Sequence, residues 1–307
     1  NINTRGSVYA PFISSDGKTI YFSRIDRRGE NSDIYFSKLM EDGNFSKAIN
    51  IGEPINTAEY SEIIVNVTPD GNTILLNKWS KQSSNNRMSP LYISNKIKKG
   101  WSTPKPVNIR DWDFDISEQR GEGALYSLGS DGKTLIIGVR RLEGFGNKDL
   151  WVSFKENNNN FSKPVNLGNV INTKRLEYAS CLAPDMKTLY FSSNGHGGFG
   201  GRDIFKSTRL DDTWKNWSTP ENLGSTINTK DDEFYYSVSS IGDYAFVAKD
   251  KSDWYKLSRF CLSCGMIDIY KIPLTENAKP KPVVLVSGKV IDSKNNEFVN
   301  ADIMYED

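Results

Sequence analysis

Four stretches of the chain share one pattern, a tight Asp-Gly-like turn followed by a strand. They read SSDGKTIYFS (14–23), TPDGNTILLN (68–77), GSDGKTLIIG (129–138) and APDMKTLYFS (183–192). A fifth and more divergent copy, SIGDYAFVAK, begins at Ser240. Asp-Gly between β-forming segments is typical of tight hairpin turns, because Gly adopts the positive φ that such turns need. The four clear copies recur 54 to 61 residues apart, which indicates an internal repeat.

Two further segments follow the hairpins in a fixed order, the first in all five units and the second in the first four. The first is DIYFS at 33–37, PLYIS at 90–94, DLWVS at 149–153, DIFKS at 203–207 and DIYKI at 268–272. The second is FSKAINIG at 45–52, WSTPKPVNI at 101–109, FSKPVNLG at 161–168 and WSTPENLG at 217–224. We name the strand before the turn A, the strand after it B, and these two segments C and D. A unit of four short strands without a helix predicts a propeller blade.

The repeat count predicts an all-β fold, a five-bladed β-propeller over residues 1–275, with a six-bladed ring as the alternative. A linker at 276–283 and the first strands of a β-sandwich at 284–307 are expected to follow. An Ile-Asn-Thr tripeptide closes three repeats, at 55–57, 171–173 and 227–229, and it also stands at 2–4. Since the fifth unit has no W-S-x-P segment, the N-terminal copy is expected to adjoin the last blade and close the ring.

These repeats resemble the TolB-type, WD-like propeller repeats found in envelope proteins of Gram-negative bacteria. The elements S/P-D-G-K-T-[IL]-Y-F and G-G-x-D-I-[YF] carry the resemblance over roughly residues 5 to 275. In many such proteins a carboxypeptidase-regulatory-like β-sandwich and an OmpA-like peptidoglycan-binding domain follow, and some relatives support type IX secretion or gliding. The resemblance implies a periplasmic or outer-membrane-associated protein that reaches peptidoglycan only through a domain absent from this sequence.

Composition excludes several classes of function. The chain has 307 residues, a net charge of +1 and 37% hydrophobic residues. Such a chain can bury a core but lacks the basic field that nucleic-acid binding needs. No apolar stretch approaches the roughly 20 residues of a membrane helix. The sequence starts at Asn1 without Met, which indicates a mature or trimmed chain. Three cysteines and one histidine leave little for metal or thiol chemistry, so no cofactor is expected.

The stretch from Gly195 to Gly200 matches G-x-G-x-x-G, the dinucleotide fingerprint. That motif needs a following helix whose N-terminus holds the pyrophosphate. Asp203-Ile-Phe-Lys-Ser-Thr follows instead, which is typical of a strand. The glycines are therefore interpreted as a compact loop between strands B and C.

Two sets of carboxylates recur at fixed repeat positions. Asp33, Asp149, Asp203 and Asp268 begin strand C, where each is expected to cap a loop by accepting backbone N–H bonds. Glu62, Glu177 and Glu233 enter the innermost strand and are candidate carboxylates at the mouth of the central channel, as an acid ring or a cation site. The competing interpretation is that each pairs with a neighbouring basic residue. Five-bladed glycosidases also use central carboxylates, so glycosidase activity is kept as an alternative interpretation of these residues.

The cysteines and the histidine offer limited chemistry. Cys261 and Cys264 are a candidate disulfide, with free thiols or a metal site shared with His196 as alternatives. Cys181 is expected to be a buried free thiol. A Ser-His-Asp triad would have to use His196, yet no G-x-S-x-G elbow is present. No catalytic residue is therefore assigned.

The loops between strands B and C vary most in length, so their face of the disc is expected to carry binding. The candidate partner-binding residues are Trp79, Arg140, Arg141, Arg202 and Trp254. The alternative is a surface ion-pair network without a partner. The function predicted is a non-enzymatic protein-binding scaffold of the envelope, with another envelope protein or a secretion-complex subunit as partner. The alternative function is a carbohydrate-binding or glycoside-processing propeller.

Overall fold

The computed structural model describes residues 2–4, 6–26, 31–80, 90–111, 124–157, 159–240, 242–250, 267–283, 291 and 293–295. These residues form five sheets that follow one another along the chain. Each sheet is a blade whose A, B and C strands pair antiparallel in sequence order. The prediction of an all-β, five-bladed propeller is confirmed.

The first three blades carry the strands that the repeats predict, with short D strands at the rim. Blade 1 holds β1 (Val8–Ile13), β2 (Thr19–Ile25), β3 (Ser32–Lys38) and β4 (Ile49–Asn50). Blade 2 holds β5 (Tyr60–Val67), β6 (Thr73–Ser80), β7 (Leu91–Ile97), β8 (Gly100–Trp101) and β9 (Lys105–Pro106). β10 (Asn108–Ile109) joins blade 3, which holds β11 (Leu125–Leu128), β12 (Thr134–Val139), β13 (Asp149–Asn157), β14 (Asn160–Phe161) and β15 (Val165–Asn166).

The last two blades follow the same order. Blade 4 holds β16 (Glu177–Leu182), β17 (Thr188–Ser193), β18 (Asp203–Thr208) and β19 (Glu221–Asn222). Blade 5 holds β20 (Glu233–Val238), β21 (Tyr244–Asp250) and β22 (Ile267–Pro273). We call the face with the A–B turns the lower face and the face with the B–C loops the upper face.

Five buried apolar clusters hold the ring together, and each contains residues of two or three neighbouring blades. Branched and aromatic side chains alternate along the strands and so point from one blade toward the next. Representative pairs within these clusters are Ile34 with Ile74, Leu75 with Leu135, Ile136 with Leu189, Tyr190 with Val247, and Phe22 with Phe246. Full burial of one such side chain contributes about 1.5–3 kcal/mol.

The N-terminal tripeptide closes the ring, as the sequence predicts. The Asn3 side chain donates to the carbonyl of Ile269 and accepts from its N–H, both at 2.9 Å. Asn56 bonds Ile34 of blade 1 in the same double fashion, at 2.8 Å for both bonds. The backbone N–H of Ile13 also donates to Ser237 of blade 5 at 3.0 Å. The first and last blades are therefore in direct contact.

The segment predicted as a linker packs against the lower face. Glu276–Ala278 forms a short 3-10 turn, and the hydroxyl of Tyr190 donates to the carbonyl of Ala278 at 2.8 Å. The N–H of Lys281 donates to Asp185 of the blade 4 turn at 3.2 Å. Most of the segment predicted as a β-sandwich, 284–307, lies outside the described residues. Among the described residues, no helix is long and apolar enough to span a membrane.

Candidate functional site

The five innermost strands enclose a small cavity on the axis of the ring, toward the lower face. Its volume is about 70 Å³, and every blade contributes to its wall. Phe12, Val65, Tyr126, Cys181 and Tyr235 represent the five blades in that wall. Residues of the A–B turns, such as Pro69 and Ser130, lie at its lower end. Described residues from all five blades therefore meet at this cavity.

The described lining of the cavity combines apolar and polar groups and carries no charged side chain. Serine hydroxyls, two asparagine amides, tyrosine rings and one thiol make up its polar part. Burial raises the pKa of the Cys181 thiol to about 12, so the thiol is protonated at neutral pH. Burial also raises the pKa of Tyr126 and of Tyr236. The cavity therefore presents neutral hydrogen-bonding groups beside apolar surface.

Some of these groups have their bonds satisfied within the protein, whereas others have no partner among the described protein groups. Asn66 donates to the carbonyl of Leu128 at 2.8 Å, and Ser237 accepts from Ile13. The hydroxyls of Ser127 and Ser180 make no hydrogen bond to any described protein group, although both residues line the cavity. Because a hydroxyl both donates and accepts, these two groups can bind a neutral hydroxyl-bearing ligand.

The candidate channel carboxylates lie between blades rather than in this lining. Glu62, Glu177 and Glu233 are fully buried, and none of them lines the cavity. Each accepts a hydrogen bond from the threonine of the preceding Ile-Asn-Thr, at 2.8 Å for Glu62 and Glu177 and 2.6 Å for Glu233. Burial raises the pKa of all three carboxyls, although these hydrogen bonds act in the opposite direction.

A basic partner accompanies two of the three glutamates. Lys78 lies 3.6 Å from Glu62, and Lys249 lies 3.7 Å from Glu233. Glu177 instead accepts from the Ser193 hydroxyl at 2.8 Å, because serine occupies the position opposite it on β17. This arrangement corresponds to the competing interpretation from the sequence for Glu62 and Glu233.

The arginines chosen as partner-binding candidates engage groups of the protein itself. Arg141 is buried, lies over the Trp151 ring at 5.2 Å and contacts Glu143 at 3.2 Å. Arg202 lies 4.2 Å from the centre of the Phe234 ring and 3.3 Å from Asp232. They sit on different blades, so the structure does not bring them into one cluster.

The remaining partner-binding and disulfide candidates lie partly within the described residues and partly outside them. Arg140 is half-buried at the upper end of blade 3, and Trp79 is half-buried against the core shared by blades 1 and 2. Trp254, Cys261 and Cys264 lie outside the described residues. Cys181 is a free thiol. A role for these residues in binding a partner or in a disulfide stays a prediction.

The recurrent aspartates and the glycine-rich stretch serve the B–C loops. Asp149 accepts from the N–H groups of Phe145 and Gly146, at 2.6 and 3.0 Å, and Asp203 accepts from Phe199 at 2.6 Å. The predicted capping is confirmed at these two positions. A strand, β18, follows the G-x-G-x-x-G stretch, so the helix that pyrophosphate binding needs is not there. No group of three or more described His, Cys, Asp or Glu residues is placed to hold a metal ion.

Sequence reasoning did not identify the cavity lining. Four of the five A strands contain a register shift, for example between Ile64 and Asn66 and between Tyr178 and Cys181. A shift of one residue changes which side chains face the axis. The sequence therefore indicated only which segments line the axis, namely the strand A immediately before each Asp-Gly turn, and not which of their side chains do so.

Comparison with known proteins identifies structural neighbours only. Neither a family model nor a curated protein matches the sequence. An α-L-arabinofuranosidase from Lactobacillus brevis is 12% identical over 91% of this chain and 94% of its own, with a TM-score of 0.56. The catalytic domain of a GH62 α-L-arabinofuranosidase from Coprinopsis cinerea is 12% identical over 88% and 91%, with a TM-score of 0.54. A periplasmic gluconolactonase from Pseudomonas aeruginosa is 11% identical over 86% and 73%, with a TM-score of 0.38.

These neighbours correct two predictions made from the sequence. The non-enzymatic protein-binding scaffold is wrong, and so is the prediction that the chain is not an enzyme, because two solved structures that match nearly the whole length of both chains, with TM-scores of 0.56 and 0.54, are arabinofuranosidases. The alternative, a carbohydrate-binding or glycoside-processing propeller, agrees better with them. The propeller fold is confirmed, but these structural neighbours are not envelope proteins of the TolB type. At 12% identity the likeness establishes the fold, and that fold is a five-bladed propeller.

Proposed function

We propose that this chain is a carbohydrate-active propeller that binds a neutral saccharide at the mouth of its central cavity, since the cavity itself, at about 70 Å³, is smaller than a sugar unit. The observation that carries this proposal is the chemistry of the cavity, whose described lining offers hydroxyl, amide and aromatic groups but no charge. The whole-chain likeness to two arabinofuranosidases supports the same class of ligand.

The lining suits the two kinds of surface that a sugar presents. A sugar ring has apolar C–H faces, which pack against aromatic and aliphatic side chains, and a hydroxyl edge, which needs donors and acceptors. Tyr235 and Phe12 are half-buried in the cavity wall and supply the first kind of contact. The hydroxyls of Ser127 and Ser180 supply the second. A few placed polar groups within an apolar wall are the usual design of a small-ligand site.

Cleavage of a glycosidic bond requires more than this lining. Most glycosidases use two carboxyl groups, one as acid and one as nucleophile or base. The described lining holds no carboxyl group, and the buried glutamates are enclosed between blades. The described residues therefore account for saccharide binding but not for hydrolysis, which has to be measured with separate substrates.

Calorimetric titration with L-arabinose, D-xylose, D-glucose and D-glucuronic acid tests the proposal. At least one neutral sugar should bind, and glucuronic acid should bind more weakly because the described lining of the cavity holds no cation for its carboxylate. The Ser127→Ala/Ser180→Ala variant should lose about thirtyfold in affinity, since two hydrogen bonds of roughly 1 kcal/mol each are removed. Chromogenic arabinofuranoside, xyloside and glucoside substrates report hydrolysis in parallel.

Ser94→Ala is the matched control, because the Ser94 hydroxyl donates to the carbonyl of Ser102 at 2.5 Å in strands C and D of blade 2, away from the cavity. It should lower stability without changing affinity. Failure of every neutral sugar to bind would sink the proposal, and so would unchanged affinity in the Ser127→Ala/Ser180→Ala variant.

The TolB-type family, the location in the periplasm or at the outer membrane, and an envelope protein as partner stay predictions. The repeat elements S/P-D-G-K-T-[IL]-Y-F and G-G-x-D-I-[YF] support the first two. Cell fractionation followed by immunoblotting tests the location, and a purely cytosolic signal would contradict it.

A further inference from the structure

Two loops of the upper face share a motif that the other blades lack. The B–C loops of blades 3 and 4 contain GFGNKD at 144–149 and GFGGRD at 198–203. Phe145 is 51% exposed and Phe199 is 55% exposed, and Leu142, in the same loop as Phe145, is 89% exposed. Among the described residues, neither phenylalanine has a ring contact or belongs to a buried apolar cluster. Three apolar side chains on neighbouring loops thus face solvent.

The fold does not need phenylalanine at these two positions. Asp149 accepts a hydrogen bond from the N–H of Phe145, and Asp203 accepts one from the N–H of Phe199, both at 2.6 Å. Any residue except proline supplies that N–H, so the capping explains the aspartates but not the phenylalanines. Because these bonds fix the backbone, both rings are held toward solvent before any partner arrives, which lowers the ordering cost of binding.

The two loops belong to one continuous surface, because the D–A loop between blades 3 and 4 contacts both of them. The N–H of Asn147, in the blade 3 loop, donates to the carbonyl of Arg175 at 2.8 Å. On the other side, a side chain at Gly195 of the blade 4 loop would overlap Thr173. Residues 173–175 therefore join the two phenylalanine loops.

Unpaired cations lie on this surface beside the apolar side chains. Lys174 and Arg175 are exposed on the D–A loop between the two phenylalanine loops. Lys230 is exposed on the next D–A loop, whose backbone packs against Gly200. None of the three cations forms an ion pair with a described residue. Their charges are therefore available to an external anion.

The neighbouring carboxylates offset only part of this positive charge. Glu143 contacts Arg141 at 3.2 Å, and Asp232 contacts Arg202 at 3.3 Å. Asp231 has no ion-pair partner among the described residues. One unpaired carboxylate thus lies near three unpaired cations, and this part of the upper face keeps a positive charge.

We propose that this part of the upper face docks the protein on the surface of an anionic lipid bilayer. The docking surface, which we call the phenylalanine patch, consists of Leu142, Phe145, Lys174, Arg175, Phe199 and Lys230. Exposed apolar side chains enter the boundary between headgroups and acyl chains, and the cations beside them attract anionic headgroups. A protein partner would need a matching pocket for each separate apolar side chain, whereas a fluid bilayer needs none.

The orientation that follows leaves the central cavity accessible. The phenylalanine patch lies on the upper face, whereas the cavity lies toward the lower face, where the A–B turns are. A protein docked through the patch therefore keeps its lower face toward solvent. Membrane docking goes beyond the saccharide proposal and does not depend on it.

Co-sedimentation with vesicles tests the docking. The vesicles contain either phosphatidylcholine alone or equal parts of phosphatidylcholine and phosphatidylglycerol. The native chain should bind the anionic vesicles, and added salt should weaken this binding because it screens the charges. The Phe145→Ala/Phe199→Ala variant should bind at least tenfold more weakly, since two apolar side chains no longer enter the bilayer. The Lys174→Gln/Lys230→Gln variant should lose about thirtyfold, because each cation near such a surface contributes about fivefold.

Matched variants on the lower face provide the controls. Met40 and Leu210 are exposed apolar residues of C–D hairpins, and Lys18 and Lys187 are exposed in A–B turns. The Met40→Ala/Leu210→Ala and Lys18→Gln/Lys187→Gln variants make the same kinds of change and should bind the anionic vesicles as the native chain does. All four double variants alter exposed side chains, so their Tm should match that of the native chain.

Three outcomes would overturn the proposal. Absence of binding to the anionic vesicles would do so, and an acidic protein segment would then be the next occupant to test. Unchanged binding of the Phe145→Ala/Phe199→Ala variant would show that the apolar side chains do not enter the bilayer. Equal losses in the lower-face variants would show attraction by the protein as a whole rather than by the phenylalanine patch.

Discussion

Single residues of the Ile-Asn-Thr tripeptide connect neighbouring blades in different ways. Ile171 is buried, and the Asn172 side chain accepts from the N–H of Leu150 at 2.7 Å and donates to its carbonyl at 2.9 Å, in the blade behind. Thr173 donates to Glu177 in the blade ahead. The recurrent glutamate is therefore half of a junction, and its repetition in three blades has a structural reason.

Glu177→Gln tests the cost of ionising this buried carboxyl. Burial raises the pKa of Glu177, so the folded state holds its proton more tightly than the unfolded chain does. That contribution is present below the ordinary glutamate pKa and is lost as pH rises through the raised pKa. The free energy of unfolding of the variant, relative to the native chain, should therefore increase with pH across this window, as measured by urea unfolding between pH 4 and 7.5.

Glu62→Gln is the matched comparison, because it strands Lys78 without its carboxylate. Leaving a buried charge unpaired costs about 3 kcal/mol, so this variant should be the less stable of the two at neutral pH. If Glu177→Gln instead became relatively less stable as pH rose, the buried carboxylate would have to be a net stabilising charge.

Two stacked tyrosines allow a test of an unsatisfied hydroxyl. The rings of Tyr190 and Tyr236 lie 4.5 Å apart, and the hydroxyl of Tyr190 donates to Ala278. The hydroxyl of Tyr236 is buried without a partner among the described residues. Tyr236→Phe should leave the free energy of unfolding unchanged or raise it, whereas Tyr190→Phe should lower it by about 1 kcal/mol. A loss for Tyr236→Phe in thermal or urea unfolding would reveal a bound water at that hydroxyl.

At the scale of elements, the glycine-rich loop of blade 4 illustrates tight packing between neighbouring segments. A side chain at Gly200 would overlap the carbonyl oxygen of Thr229 and come within 2.7 Å of that of Asp231. A side chain at Gly195 would overlap Thr173. Gly197 has a φ of +77° but open space around its Cα. The G-x-G-x-x-G spacing thus reflects two close contacts and one backbone conformation.

Alanine substitutions separate these two requirements. Gly200→Ala forces backbone apart and should cost about 2–3 kcal/mol of unfolding free energy. Gly197→Ala only strains a left-handed residue and should cost about 1 kcal/mol. Urea unfolding of both variants measures the difference. Equal losses would mean that the loop can move away from Thr229, and its anchoring by Asp203 would then be weak.

The strands were predictable from the sequence because a hairpin turn and period-2 alternation are local signals. The position of Asp203 at the start of a strand and its capping role follow from the same signals. The contact between Thr173 and Glu177 was not predicted, although both recur, because the repeat shows that residues recur and not which ones touch. The neutral cavity escaped prediction for another reason: bulges such as that between Tyr178 and Cys181 shift the side chains that face the axis.

At the scale of the whole molecule, the repeat accounts for the ring and departures from it account for the candidate site. Four of the five junctions carry the Ile-Asn-Thr tripeptide, so these repeated contacts do not by themselves mark one blade as the place for a ligand. The long β13 departs from the repeat at blade 3, where its last residues lie beside the A–B turns of blades 2 and 3. The packed segment from Leu274 to Lys281 breaks it at blades 4 and 5. Both departures lie on the lower face, where the cavity opens.

Ring closure gives the last prediction, since the junction of blades 5 and 1 joins the two ends of the propeller without a covalent link. Asn3→Ala removes both hydrogen bonds to Ile269, and deletion of residues 1–4 also removes the carbonyl of Ile2, to which Arg24 donates at 2.7 Å. The deletion should cost about 2–3 kcal/mol of unfolding free energy and lower the Tm by roughly 5 °C in calorimetry, and the Tm of Asn3→Ala should lie between those of the native chain and the deletion.

Asn228→Ala is the internal control for ring closure. Asn228 forms the same two bonds to Ile204 but is fully buried, so its loss should cost more than Asn3→Ala. If the deletion melts like the native chain while Asn228→Ala is destabilised, the N-terminal tripeptide does not close the ring, and the contacts of Ile13 and Phe45 with blade 5 must suffice for closure.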